Sequence, residues 1–333
     1  MRTNVIYAIC DEPYCLWESD IKHAATSFLK SIDHGYFSYI AQRSAPDLED
    51  PDHGMRAATS LRLALFHGAE TLFLLIGALL QAENCPHAWV AQCSTSELRT
   101  VLNRIQQGDD LLMLNRRIRM LSWSNISREI LRCSAPRTDA VEEAVASFAK
   151  LWELLALNHT QQSSIDEYNS LKHGFRVAHG GFSVEIGLDA SDNFPQQKEN
   201  MMALGSSKWG GSFRVIKKFA NDRNGSRSRQ SIECAVNWDA SAVAASLLLV
   251  SASIRNVVSC LRLYSGPADV QFELPHPVVF EAAFKRVTLD SMSLPTAPPV
   301  IRSTTKDQLL AEIKRTTVRR LNRALVHVSS LRE

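Results

Sequence analysis

LRLALFHGAETLFLLIGALL, residues 61–80, places apolar side chains on nearly every face of a helix. A surface helix shows one apolar stripe, whereas a helix that is apolar all round is buried at the centre of a fold. The stretch therefore predicts a central helix from about Met55 to Ala82, with other helices packed around it. Between Leu61 and Leu80 its ionisable side chains are Arg62, His67 and Glu70. At about 100° per residue they fall within an arc of roughly 140°, so they share one side. A buried charge costs several kcal/mol unless it is paired, so that side faces partners or a cavity. Glu70 follows His67 by three residues, within pairing reach on a helix. Two readings stand: a substrate-facing group, or an ion-pair network that fixes helix register. The most apolar run, Leu72 to Leu80, falls short of the ~18 residues of a membrane span.

Outward from this helix, helical periodicity dominates the first half of the chain. Apolar spacing predicts a helix over about Trp17 to Gln42, which Pro46 and Pro51 bring to an end. Ser94 and Glu97 have capping-box spacing, and Gly108 marks the matching stop. Shorter helices are expected over Leu111 to Met120 and Ile126 to Cys133, and a strong one after Pro136. Ser164 and Glu167 form a second capping-box pattern, opening a helix expected to run to Gly180-Gly181. The period then changes. Phe182 to Leu188, Ser212 to Phe219 and Ser231 to Trp238 alternate like strands, and Asn224-Gly225 is a hairpin signal. Asp239 caps an apolar helix to about Leu263. Six prolines between Ser265 and Thr304 predict an extended arm, with helical turns over Val278 to Lys285. A last helix runs from Lys306 to Leu331, with Thr305 and Gln308 at capping-box spacing. The fold class expected is mainly α: a helical bundle (1–181, completed by 239–264) with a small antiparallel β-sheet inserted at 182–238, then the arm at 265–304 and a C-terminal helical arm at 305–333.

Composition narrows the function classes. The 333 residues allow roughly one to three domains. A net charge of +2 is too small to predict a polyanion partner from the whole chain, so any nucleic-acid contact must rest on a local patch. Seven scattered cysteines fit reduced thiols in the cytoplasm better than a secreted disulfide scaffold, and the first residues carry no cleavage-site pattern. Cys10, Cys15, Cys85 and Cys93 do not have the spacing of a zinc set, so no metal is expected. Glycine-rich nucleotide loops, a serine-hydrolase elbow and a His-Glu-x-x-His pair are missing from the sequence, and no cofactor is expected.

A second polar set lies further on. On a helical wheel Asn169, Lys172, His173 and Arg176 fall within about 100° of one another, opposite Tyr168, Leu171 and Phe175. Lys172 and Arg176 supply charge for a phosphate, His173 could move a proton near neutral pH, and Asn169 could orient it. The plainer reading is a solvated helix face. Lys217, Lys218, Arg223, Arg227 and Arg229 make the strand region basic, with Trp209 and Trp238 flanking it, as a nucleic-acid backbone and a stacked base would require. The last helix combines a basic side (Lys314, Arg315, Arg319, Arg320, Arg323) with apolar residues, among them Leu309, Leu310, Ile313 and Leu321, suited to packing against a protein partner.

Arg62-Leu-Ala-Leu-Phe-His67 resembles the Arg-x4-His motif of the HEPN superfamily, and Asn169-x-x-Lys172-His173-Gly174-x-Arg176 is similar to motifs of HEPN-like bacterial helical proteins. The resemblance spans about residues 55–181. It implies a helical bundle, often a homodimer, and in active members a metal-independent ribonuclease of toxin–antitoxin or phage-defence settings. Carried over, Arg62 would stabilise phosphate charge and His67 would act as acid or base, with His173 and Arg176 beside them. Independently of the resemblance, which stops before the strand region, Glu70, Asn169 and Lys172 from the helix faces and Lys217, Lys218, Arg223 and Arg227 from the basic patch are the residues expected to contact RNA. The alternative is a non-catalytic interaction protein in which the same polar residues form a buried network or a partner interface.

Overall fold

In the computed structural model, residues 3–132, 134, 138–173, 176–187, 201–218, 227–287, 290–295 and 304–329 are described. The chain opens on a hairpin rather than leading straight into a helix at Trp17. Strands β1 (Thr3–Ile9) and β2 (Glu12–Glu18) pair antiparallel, from Thr3 opposite Glu18 to Ile9 opposite Glu12. Asp11 and Glu12, which interrupt the apolar run in the sequence, sit at the turn, beside Cys10 at a φ of 54°. The helical stretch that follows is split in two, α1 (Ile21–Ser31) and α2 (Tyr36–Ser44), and Asp20 caps the first by accepting the His23 N–H.

Helix α3 (Gly54–Gln81) is the predicted central element, and Leu61, Leu72, Leu75, Ile76 and Leu79 on it are sealed from solvent. Each such side chain contributes about 1.5–3 kcal/mol of burial. Gly77 lets the Trp89 ring of α4 (Pro86–Gln92) lie against the helix, where an added methyl would overlap the indole. Trp89 in turn donates its Nε1–H to the Ala8 carbonyl at 2.9 Å, tying the hairpin to the core. Helix α5 (Thr95–Gln107) has the full Ser94/Glu97 capping box and stops at Gly108, φ 73°. The stretch 111–120, expected to be helical, is a series of turns. Asn115 pins it to the end of α3 with bonds to the Leu79 and Leu80 carbonyls, which hold these turns over the core in place of a helix.

Helices α6 (Trp123–Leu131), α7 (Asp139–Thr160) and α8 (Gln162–Lys172) follow. Helix α8 starts two residues before Ser164, with no side-chain cap at Gln161, and ends well before Gly180-Gly181. Val177–His179 is strand β3. Strands β4 (Ser183–Gly187) and β5 (Met201–Ser206) pair antiparallel as a two-stranded sheet. Strands β6 (Gly210–Lys218) and β7 (Arg229–Asn237) form the centre of a four-stranded antiparallel sheet in the order β3-β6-β7-β8. Helix α9 (Ala240–Tyr264) is capped by Asp239, as its sequence predicts, and packs along α3. The proline-rich stretch contributes α10 (Pro277–Ala283) and also strand β8 (Ser291–Pro295), which pairs with β7 from Val236 to Ile232. Helix α11 (Lys306–Ser329) begins with the reciprocal Thr305 and Gln308 bonds.

The chain is thus mainly α-helical, with small antiparallel sheets inserted. By length and composition both α3 and α9 could cross a membrane, a length that the Leu72–Leu80 run alone understates. In this fold 72% and 83% of their most apolar windows are buried against protein.

Candidate functional site

Arg62 points from α3 to the middle of α8. Its Nε and Nη2 donate to the two carboxylate oxygens of Glu167 at 2.9 and 2.7 Å, a bidentate pair. The side chains are 15% and 2% exposed, respectively. The guanidinium also lies over the rings of Phe66, at 4.7 Å, and Trp238, at 5.4 Å. Burial pulls the Arg62 pKa down, but the charge and hydrogen bonds of Glu167, with Asp290 adding to them, outweigh it and raise the pKa overall.

One turn further along α3, Tyr168 of α8 packs into a cluster with His67 and Glu70. Its ring stacks on Phe66, centroids 5.0 Å apart, and meets the edge of His67 at 5.6 Å. Its hydroxyl donates to Glu70 at 2.9 Å, so Glu70 takes Tyr168 as its hydrogen-bond partner in place of the expected His67. Burial and the Glu70 charge push the Tyr168 pKa well up, keeping the phenol a donor. Lys172 sets its ammonium 5.2 Å above the Tyr168 ring. His67 is exposed as a residue, yet enough protein surrounds the imidazole that desolvation lowers its pKa. Lys172 acts in the same direction and Glu70 opposes it. Behind them His159 of α7 is 6% exposed and packs on Phe73, its Nε2 without a partner. Burial lowers its pKa to about 4, with Arg99 adding to the effect and Glu70 working against it.

The remaining predicted residues divide. Asn169, Lys172 and His173 are exposed on the last turn of α8 and beside it. Arg176 does not continue that face. The helix ends at Lys172, and the Arg176 backbone N–H turns back to the Ser170 carbonyl at 2.9 Å, so the four-residue stripe is broken before its last member. Lys217 is engaged with Asp166 of α8 at 3.2 Å, which fastens β6 to the helix. Lys218 and Arg227 are exposed, and Arg223 lies outside the described residues. Strand β3 is itself held to α3 by His179 Nδ1, 2.9 Å from the Thr59 hydroxyl.

The structure therefore brings α3 and α8 together, but through Glu167 and Tyr168, which the sequence presents as a capping residue and a member of the apolar side. Among the described residues no group of three or more His, Cys, Asp or Glu side chains could hold a metal ion. Burial pushes the Cys85 and Cys93 thiols up to about 12, far from the thiolate form that a nucleophile needs. No family model matches the chain, and no curated protein or solved structure does either.

Proposed function

We propose that the chain is a non-catalytic binding protein of the cytoplasm, in which the polar residues of α3 and α8 form a structural network and exposed elements engage a partner. The observation that carries this reading is the Arg62–Glu167 pair. An arginine bonded in both directions to a buried carboxylate and roofed by Phe66 and Trp238 has little left to offer a phosphate. RNA is the partner that the exposed cations Lys172, Arg176, Lys218 and Arg227 fit, since backbone contacts need charge more than precise geometry. The exposed Leu309, Leu310 and Ile313 of α11 fit a protein partner.

A second reading keeps the HEPN-like activity: a helical bundle built on α3, α7, α8 and α9, dimeric, cleaving RNA without metal in a toxin or phage-defence role. The observation favouring it is His67, exposed, with a lowered pKa and with Lys172 and Glu70 at hand. One assay separates the two. Purified protein is incubated with a mixed RNA pool in EDTA at several salt concentrations, alongside folded His67→Ala and His173→Ala variants. The binding reading expects retention of intact RNA at low salt, weakening steeply as salt rises. Cleavage by the wild type that disappears in either variant would establish the ribonuclease instead.

A further inference from the structure

A cavity of about 620 Å³ opens between the C-terminal half of α7, the first turns of α8 and α9, and the residues Ala283 to Val287 with Asp290 and Ser291. That is within the roughly 300–1,000 Å³ typical of small-molecule sites. Arg62, Glu167 and Trp238 form part of its lining, and Leu65, Leu151, Leu155, Val243 and Phe284 give it an apolar wall. Polar groups in the lining are left with unmet bonding capacity. Ser164 and Ser246 are 8% and 7% exposed, and their hydroxyls make no hydrogen bond among the described residues. Helix α8 begins here without a side-chain cap, leaving its first N–H groups open. Trp238 is 5% exposed and its indole N–H has no acceptor.

The formal charges of the lining cancel, but they are not equally available. Glu167 is held by Arg62, Asp239 caps α9 through the Ala242 N–H at 2.8 Å, and Asp290 accepts the Ser291 hydroxyl at 3.3 Å near Arg62. Lys285 and Arg286 are exposed and make no ion pair among the described residues. Donors and cations are therefore in surplus over a wall of leucines.

We propose that this cavity binds a small amphiphilic anion. Its apolar body lies on Leu151, Leu155 and Val243. Its carboxylate, sulfonate or phosphate head is taken by Lys285 and Arg286 together with the open donors at α8. Such a site stands whether or not the chain binds RNA.

The test uses the full chain and 1-anilinonaphthalene-8-sulfonate as the probe, followed by calorimetry and fluorescence. N-phenyl-1-naphthylamine, which keeps the aromatic body without the sulfonate, is the neutral comparator. One sulfonate probe should bind per chain, at least about ten-fold tighter than the neutral one, as a charge-assisted hydrogen bond allows. Lys285→Ala/Arg286→Ala should erase that ten-fold advantage while leaving the neutral probe unaffected. Ser246→Phe, which fills the cavity, should remove both. Should Ser246→Phe fail to fold, the surface pair decides alone. Equal affinity for the two probes, no saturable binding, or sulfonate binding unchanged in the Lys285/Arg286 variant would overturn the proposal.

Discussion

Tyr168 has its polar and apolar surfaces served by different partners, Glu70 at the hydroxyl and Phe66 and His67 at the ring. Tyr168→Phe removes only the hydrogen bond to a carboxylate, and chemical denaturation should record a loss of about 1.5–3 kcal/mol. His159 gives a pH signature. Its folded pKa, about 4, lies below the ordinary 6.5, so the unfolded chain takes up a proton that the folded chain refuses. Its contribution is full above about pH 6.5 and falls as the pH drops towards 4, by about 3 kcal/mol in all. Unfolding free energies measured across that window should slope downward towards acid in the wild type, and less steeply in a folded His159→Phe variant. At this scale the sequence singles out Arg62, His67 and Glu70, because ionisable groups on an apolar helix are conspicuous. Their partners were hidden. Glu167 and Tyr168 sit on an ordinary amphipathic helix, and a partner 98 or 105 residues away leaves no local pattern.

Helices α3 and α9 were legible because they are apolar round the whole circumference, and the caps Ser94, Thr305 and Asp239 were legible because capping is a contact within one turn. Strands β1 and β8 were not. A two-stranded hairpin with exposed Ile6 and Trp17 lacks a clean alternation, and β8 owes its pairing to β7 rather than to its own proline-bearing sequence. The end of α8 was misplaced by its glycines, because Gly180 and Gly181 follow strand β3 instead of closing the helix. The contact of α3 with α4 provides a test of packing. Gly77→Ala drives a methyl into the Trp89 ring and should destabilise the protein by about 1–3 kcal/mol, read from the denaturation midpoint.

Across the whole molecule, the core runs from the first hairpin to α10 and stops before α11, whose described side chains from Lys306 to Thr317 are all exposed. Ending the chain at Thr304 should leave the melting temperature within about 2 °C of the full chain, because the side chains from Lys306 to Thr317 bury little apolar surface. Loss of partner capture in that truncated form would assign the interaction to α11. The mainly α class follows from composition and periodicity, whereas the way α8 closes over α3 follows from the contacts of Tyr168 and from the Arg62–Glu167 ion pair. That pair is also what separates a structural Arg62 from a catalytic one. The most direct measurement is urea unfolding of Arg62→Met, Glu167→Leu and the double variant. Each single change strands a buried charge and should cost about 3–5 kcal/mol, while the double change, which leaves no charge stranded, should cost less than either. Single variants as stable as the wild type, with strictly additive effects, would contradict the structural role and return Arg62 to the substrate.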